Sequence, residues 1–459
     1  MAVETQNYLY FDDAKPESGI QTSVSHRTGE LELKELVPGF GLVDTRGAVF
    51  GTCTSETSYY KNRFPGDLKQ IEKIRANFAR LYGPVVKETD SAIALMSHSG
   101  LHEGSGIITK AKPDTNRDPI DVLAYPPVIE NGQIVGLKRQ IIPMNFQDGF
   151  KEGRQVVFTP AFVCDTHSNA NNIDPKTGWP VQCDRKTDNG HEPKATRGHT
   201  EAIGTAVQGI VPARLDSLIP VPNELQRFIE ADPKRRALLA SVEPMGCVFQ
   251  AHGPLLRDEK IPQSILVIGD GPNALLNLMF YKAFAPNARI VVSGKNQQKL
   301  DAMRRINPEK IVTVASDGRS YDEVERALKE TTGSTQAEVV LPTVALSEDV
   351  VGPFIKNNGL LIWWAASISE HANGSTPAEK RYNELHSYGG APRAEFSAMA
   401  LMDSFAKTDP DIFTPLLETP AIHYLPMGEQ AAVEVEKWLN ANGKWIGPDG
   451  LSKKLIVTM

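Results

Sequence analysis

Two His-Glu pairs mark the chain, His102-Glu103 within GLHEGSG and His191-Glu192 within NGHEP. An imidazole beside a carboxylate is half of a zinc site, so the question is which pair has further ligands. Four cysteines are available, Cys53, Cys164, Cys183 and Cys247, and a Glu-Pro step follows at Glu243-Pro244. One thiolate, one imidazole and one or two carboxylates make an open site with a position left for substrate. A metal held this way acts as a Lewis acid on a substrate oxygen.

A second chemical signal is Gly269-Asp270-Gly271-Pro272-Asn273-Ala274, a G-x-G-x-x-A turn directly after the apolar run SILVI and directly before the helical pattern ALLNLMFYKAF. The first glycine permits the tight turn, the second lets backbone approach a pyrophosphate, and Ala274 keeps helix and strand close. Pro272 and Asn273 then open a helix whose N-terminus faces the phosphates. The next strand ends Arg289-Ile290-Val291-Val292-Ser293-Gly294-Lys295, with Gly294 where an NAD-binding site holds an acid for the ribose. Ser293 can donate to a 2'-phosphate and Lys295 can balance its charge, so NADP(H) is expected over NAD(H). On the same reading Gly294→Asp shifts preference toward NADH.

These residues need elements to hold them. From Pro262 the chain alternates strand and helix: SILVIGDG, ALLNLMFYKAF, RIVVSG, QQKLDAMRRI, IVTV, YDEVERALKETT, AEVVLPT, then SEDVVGPFIKNN and GLLIWWAA. Apolar strands alternating with helices predict a parallel sheet covered on both faces. The front half reads differently, as short apolar runs broken by turn residues: IITKAK, DVLAYPPVI, QIVGLKRQIIP and GRQVVFTP. Leu68–Leu81 has helical spacing, and the closing run KKLIVTM is a strand expected to rejoin the front half.

With both halves in view, the chain resembles the medium-chain dehydrogenase/reductase superfamily, in particular its zinc-dependent alcohol, sorbitol and threonine dehydrogenases. The resemblance rests on the order of motifs: Gly51-Thr52-Cys53-Thr54-Ser55-Glu56, then Leu101-His102-Glu103-Gly104-Ser105-Gly106, then Val242-Glu243-Pro244-Met245, then the glycine turn. It implies an α/β fold, a Rossmann-type doubly wound parallel sheet plus a β-rich GroES-like catalytic domain, divided as 1–252 with 391–459 and 253–390. It also implies metal ligation by Cys53 and His102, with Glu103 and Glu243 as further ligands, and makes His191 the decoy. Ser55 then stands as proton relay and Glu56 orients His102. Departures are Glu56 for aspartate, Leu101 for glycine, Ser58 where the relay's histidine is usual, and 49 positions between Cys53 and His102, about twice the family's separation.

The implied function is a zinc-dependent oxidoreductase interconverting a secondary alcohol and a ketone, with a polyol, cyclitol, amino alcohol or natural-product intermediate as substrate. A zinc-free enoyl reductase and a non-catalytic NADPH-binding protein are the alternatives. Cys164, His167, Cys183 and His191 fall where many members carry a structural zinc, although the Asn, Asp, Gly and Pro content of 165–199 reads first as a polar loop. Trp363 and Trp364, at the end of the GLLIWWAA strand, could touch the nicotinamide end, but such aromatics more often serve packing or subunit contact.

Bulk properties agree. A chain of 459 residues with 41% hydrophobic and 23% charged residues suits two domains of about 150 to 250 residues each. Its net charge of -7 excludes the basic stripe of a nucleic-acid or acidic-membrane binder. Few, scattered cysteines, no secretory leader and no run of about 18 apolar residues lead to a cytoplasmic expectation. A homodimer or homotetramer is what the resemblance implies.

Overall fold

The structure is a computed structural model, and it describes residues 2–11, 23–52, 75, 78–79, 82–98, 101, 103–115, 120–144, 149–159, 161–162, 173, 178–180, 195–196, 207–307, 309–315, 321–344, 346–364, 383–387, 394–418, 422–441, 445–448 and 452–459.

Six parallel strands form one sheet, in the spatial order Ile311–Ala315, Arg289–Gly294, Ser264–Ile268, Ala337–Pro342, Ile355–Trp364, Asn383–Ser387. The first strand in sequence, Ser264–Ile268, thus lies at the centre, and the chain winds outward from it in both directions. That order, 3-2-1-4-5-6, is that of the doubly wound dinucleotide-binding sheet. Side chains alternate between two separate cores. Ile265, Val267, Ile290, Val292, Val339, Leu341, Ile362 and Trp364 enter one. Leu266, Val291, Val340, Leu361 and Trp363 enter the other. Period-two burial on both faces is why the four central strands read as apolar runs. Both tryptophans are therefore packing residues, at 3% and 6% exposure.

The helix after the glycine turn, Pro272–Phe284, is buried at ten of its positions, so it is apolar around most of its circumference. Against it packs Val242–Ala251, whose Glu-Pro step sits in the first turn, where a proline costs no helical hydrogen bond. The core on this side continues into the front half through Val49, Val157 and Ile456.

The front half is a nine-stranded sheet with the main order Ile210–Arg214, Phe40–Asp44, Glu103–Lys112, Val49–Gly51, Ser452–Thr458, Ile422–Pro426. Gln155–Phe158 joins it along Glu103–Lys112 and carries Leu218–Pro220. The C-terminal run KKLIVTM does rejoin the front half, pairing antiparallel with Val49–Gly51. Two long strands were not anticipated: Ala2–Phe11 and Val24–Leu33 pair along their whole length, burying Leu9, Phe11, Leu31 and Leu33. Most of the helix expected at Leu68–Leu81 lies outside the described residues. Among the described residues no helix is long and apolar enough to cross a membrane.

Candidate nucleotide and metal sites

The glycine turn occupies the point where the strand order reverses. Ile268 pairs with Ser293 on one side and Pro342 on the other, so the ends of all three strands are level there. Gly269 has φ +131, a conformation side chains rarely adopt, and a Cβ on it would drive into the Thr343 hydroxyl. The turn is pinned from both flanks: Gly269 N–H donates to Ser293 O at 2.7 Å, and Thr343 N–H donates to Ile268 O at 2.8 Å. Gly271 is different. A Cβ there would meet nothing within 4 Å, which leaves its backbone facing open space beside the helix N-terminus. Ala274 is fully buried at the strand-helix contact. Backbone donors with room in front of them fit a pyrophosphate.

The end of the second strand is not as its sequence suggests. Gly294 does stand where an acid is usual, but a carboxylate is present all the same, supplied by Asp270 from the glycine turn. Asp270 Oδ2 accepts the N–H groups of Lys295 and Asn296, both at 2.8 Å. Its Oδ1 lies 3.9 Å from the ammonium of Lys299, a lysine only 5% exposed. Asn296 in turn caps the next helix, its side chain accepting from Lys299 N–H at 3.0 Å. A Cβ on Gly294 would fall 2.7 Å from Asp270 Cβ, so an aspartate at 294 has no room. Ser293 is buried and Lys295 exposed. The expectation of an acid-free corner is thereby corrected: the acid comes from a different loop.

In the front half, Cys53, Ser55, Glu56 and His102 lie outside the described residues, as do Cys164, His167, Cys183 and His191. Glu103 and Glu243 are described, and both are buried. Gly51 pairs in register with Glu103 across two neighbouring strands. The segment ending at Thr52 is held on its other side by the C-terminal strand, Thr52 N–H donating to Leu455 O at 3.1 Å. Glu103 forms an ion pair with Lys454 of that same strand, and Lys454 Cε would lie 3.1 Å from a Cβ at Gly51. Glu243 accepts the Cys247 thiol proton one helical turn on, Sγ to Oε1 3.3 Å. Among the described residues no three His, Cys, Asp or Glu side chains gather closely enough to hold a metal.

Sequence reasoning missed Asp270, Lys454 and one further polar centre. His252 is wholly buried between Val248 O, to which Nδ1 donates at 2.8 Å, and the Tyr281 hydroxyl, which donates to Nε2 at 2.6 Å. Burial pulls its pKa down to about 4, and burial likewise pushes the Tyr281 phenol up. Both are neutral in the folded protein.

No family model matches the chain, and no curated protein matches it in sequence. Solved structures do match in three dimensions. 2R,3R-Butanediol dehydrogenase from Bacillus subtilis superposes with a TM-score of 0.59 and 16% identity over 99% of each chain. Galactitol-1-phosphate dehydrogenase from Escherichia coli gives 0.55 and 13%, covering 99% of this chain and 100% of its own. An E. coli protein described as a short chain alcohol dehydrogenase, solved with NADH, gives 0.56 and 12% over 99% and 100%. The chain has the fold of these dehydrogenases. At such identities the likeness is one of architecture: a parallel dinucleotide-type sheet joined to a β-rich sheet, as the order of motifs implies.

Proposed function

We propose that the protein is a nicotinamide-dependent oxidoreductase that interconverts a secondary alcohol and a ketone, the substrate being a polyol, cyclitol, amino alcohol or related natural-product intermediate. The observation that carries this reading is the pinned glycine turn at the strand-order reversal, with Gly269 locked against Thr343 and Gly271 open in front of a helix N-terminus. Full-length likeness in fold to alcohol and polyol dehydrogenases supports the same reaction class.

The chain's own contribution is placement. The glycine turn and helix N-terminus would hold the pyrophosphate, and the packed helix Val242–Ala251 fixes the front sheet against the nucleotide sheet. Cys53 and His102 are proposed as zinc ligands, and the register of Gly51 with Glu103 supports their convergence, since Gly51 lies two positions before Cys53 and Glu103 directly follows His102. Zinc bound there would supply a Lewis acid for the substrate oxygen, and a bound nicotinamide would supply the hydride acceptor or donor. Glu103, its charge matched by Lys454, would support the ligand set rather than bind zinc itself, its ion pair tying the Glu103–Lys112 strand to the C-terminal strand. Glu243 accepts a hydrogen bond from the Cys247 thiol and is proposed for the same supporting role.

One observation favours a second reading, the zinc-free enoyl reductase: an ammonium already neutralises Glu103 beside the expected metal position. Zinc analysis of the purified protein, with reduced-cofactor oxidation measured across ketones and enoyl thioesters, separates the two. Stoichiometric zinc and ketone reduction support the alcohol dehydrogenase, and metal-free turnover of enoyl thioesters overturns it.

A further inference from the structure

The corner between the glycine turn and the second strand is built around one carboxylate. Asp270 is tied to the strand end through two 2.8 Å hydrogen bonds from Lys295 and Asn296 N–H. Lys299, almost fully buried, sets its ammonium 3.9 Å from the other carboxylate oxygen. In a dinucleotide seated on the turn, the adenosine ribose lies over the end of the second strand. A phosphate on its 2' oxygen needs donors and positive charge there. Both backbone donors are already given to Asp270, and the nearest buried cation is already matched by it.

We propose that Asp270 is the cofactor-selecting residue: its carboxylate accepts the ribose hydroxyls of NAD(H) and repels the 2'-phosphate of NADP(H). The inference rests on the dinucleotide reading above and reverses the preference expected from Gly294 and Lys295 alone. It also explains Gly294. With Asp270 Cβ pressed on that position, no side chain fits, so the strand cannot supply an acid of its own and the turn supplies it instead. A carboxylate retains lone pairs after accepting two N–H bonds, so Oδ1 can take a hydroxyl proton.

The test is titration of the full-length protein with NADH and with NADPH, comparing wild type, Asp270→Asn and Asp270→Ser. Asparagine keeps an oxygen for the two N–H donors and removes the charge, whereas serine also frees the donors. The wild type should bind NADH at least about tenfold more tightly than NADPH, the scale of one charge-assisted hydrogen bond. Both variants should weaken NADH and tighten NADPH, so that the ratio between them falls by about tenfold or more. A merely structural role would weaken both cofactors in proportion. Tighter NADPH binding by the wild type, or an unchanged ratio in both variants, overturns the assignment of Asp270 while leaving the dinucleotide site standing. Failure of the wild type to bind either cofactor overturns the underlying reading and the assignment with it.

Discussion

At the scale of single residues, two buried polar pairs have measurable consequences. Glu103 and Lys454 are 2% and 15% exposed at the side chain and lie on strands from opposite ends of the chain. Removing one member of such a pair leaves a buried charge uncompensated, a loss of about 3 to 5 kcal/mol. Lys454→Met should therefore destabilise strongly in denaturant unfolding, and Glu103→Gln with Lys454→Met together should cost clearly less than the sum of the singles. Additivity within about 0.5 kcal/mol would show that the two do not interact. His252 sets a pH dependence. Its folded pKa of about 4 lies below the unfolded value near 6.5, so the unfolded chain binds the proton first and stability falls as pH drops between those values. The loss should reach about 3 kcal/mol by pH 4 and be absent above pH 7. A His252→Phe variant should unfold with a flatter acid limb; an unaltered limb would remove His252 as its source.

At the scale of elements, the strand-turn-helix unit at Ser264–Phe284 depends on Gly269. Alanine there must accept φ +131 and clear the Thr343 hydroxyl, so the turn has to open. Gly269→Ala should weaken binding of a reduced nicotinamide cofactor by tenfold or more in a fluorescence titration, with the far-ultraviolet circular dichroism of the rest of the fold retained. Unchanged affinity would mean that the cofactor does not seat on this turn. The same unit shows what a sequence displays and what it conceals. The central strands of the parallel sheet were legible because burial on both faces makes each an apolar run, and Pro272–Phe284 because apolar residues recur through it, whereas the edge strand Asn383–Ser387, NELHS, has no apolar run and was not legible. Ile355–Trp364 begins earlier than its apolar run, as Lys356, Asn357 and Asn358 precede Gly359 within the strand. Ala2–Phe11 was hidden because Glu4, Thr5, Gln6 and Asn7 give its first half no apolar alternation. Asp270 was visible in the fingerprint, as an acid in a loop that faces phosphates beside a strand end that lacks one. Its reach is a tertiary fact, fixed by the close approach of Gly294. Lys454 carried no such sign, because a lysine in a terminal strand ordinarily faces water.

For the whole molecule, the front sheet is closed by its last strand. Ser452–Thr458 pairs with Val49–Gly51 and with Ile422–Pro426, supplies Lys454 and accepts the Thr52 N–H, so this strand holds the segment that ends at Thr52. The core then runs unbroken from this sheet through Val242–Ala251 to the glycine-turn helix. On the proposed function, such an arrangement would keep a substrate position on the front sheet fixed relative to a cofactor on the parallel sheet, which hydride transfer requires. The most direct test of that account is isotopic. The protein is incubated with NAD+ and secondary alcohols from the polyol and cyclitol classes carrying deuterium on the carbinol carbon, and the reduced cofactor is examined by mass spectrometry. Deuterium on the nicotinamide ring, markedly reduced with Gly269→Ala, is the predicted result; NAD+ that binds yet acquires no label from any member of the panel would contradict it.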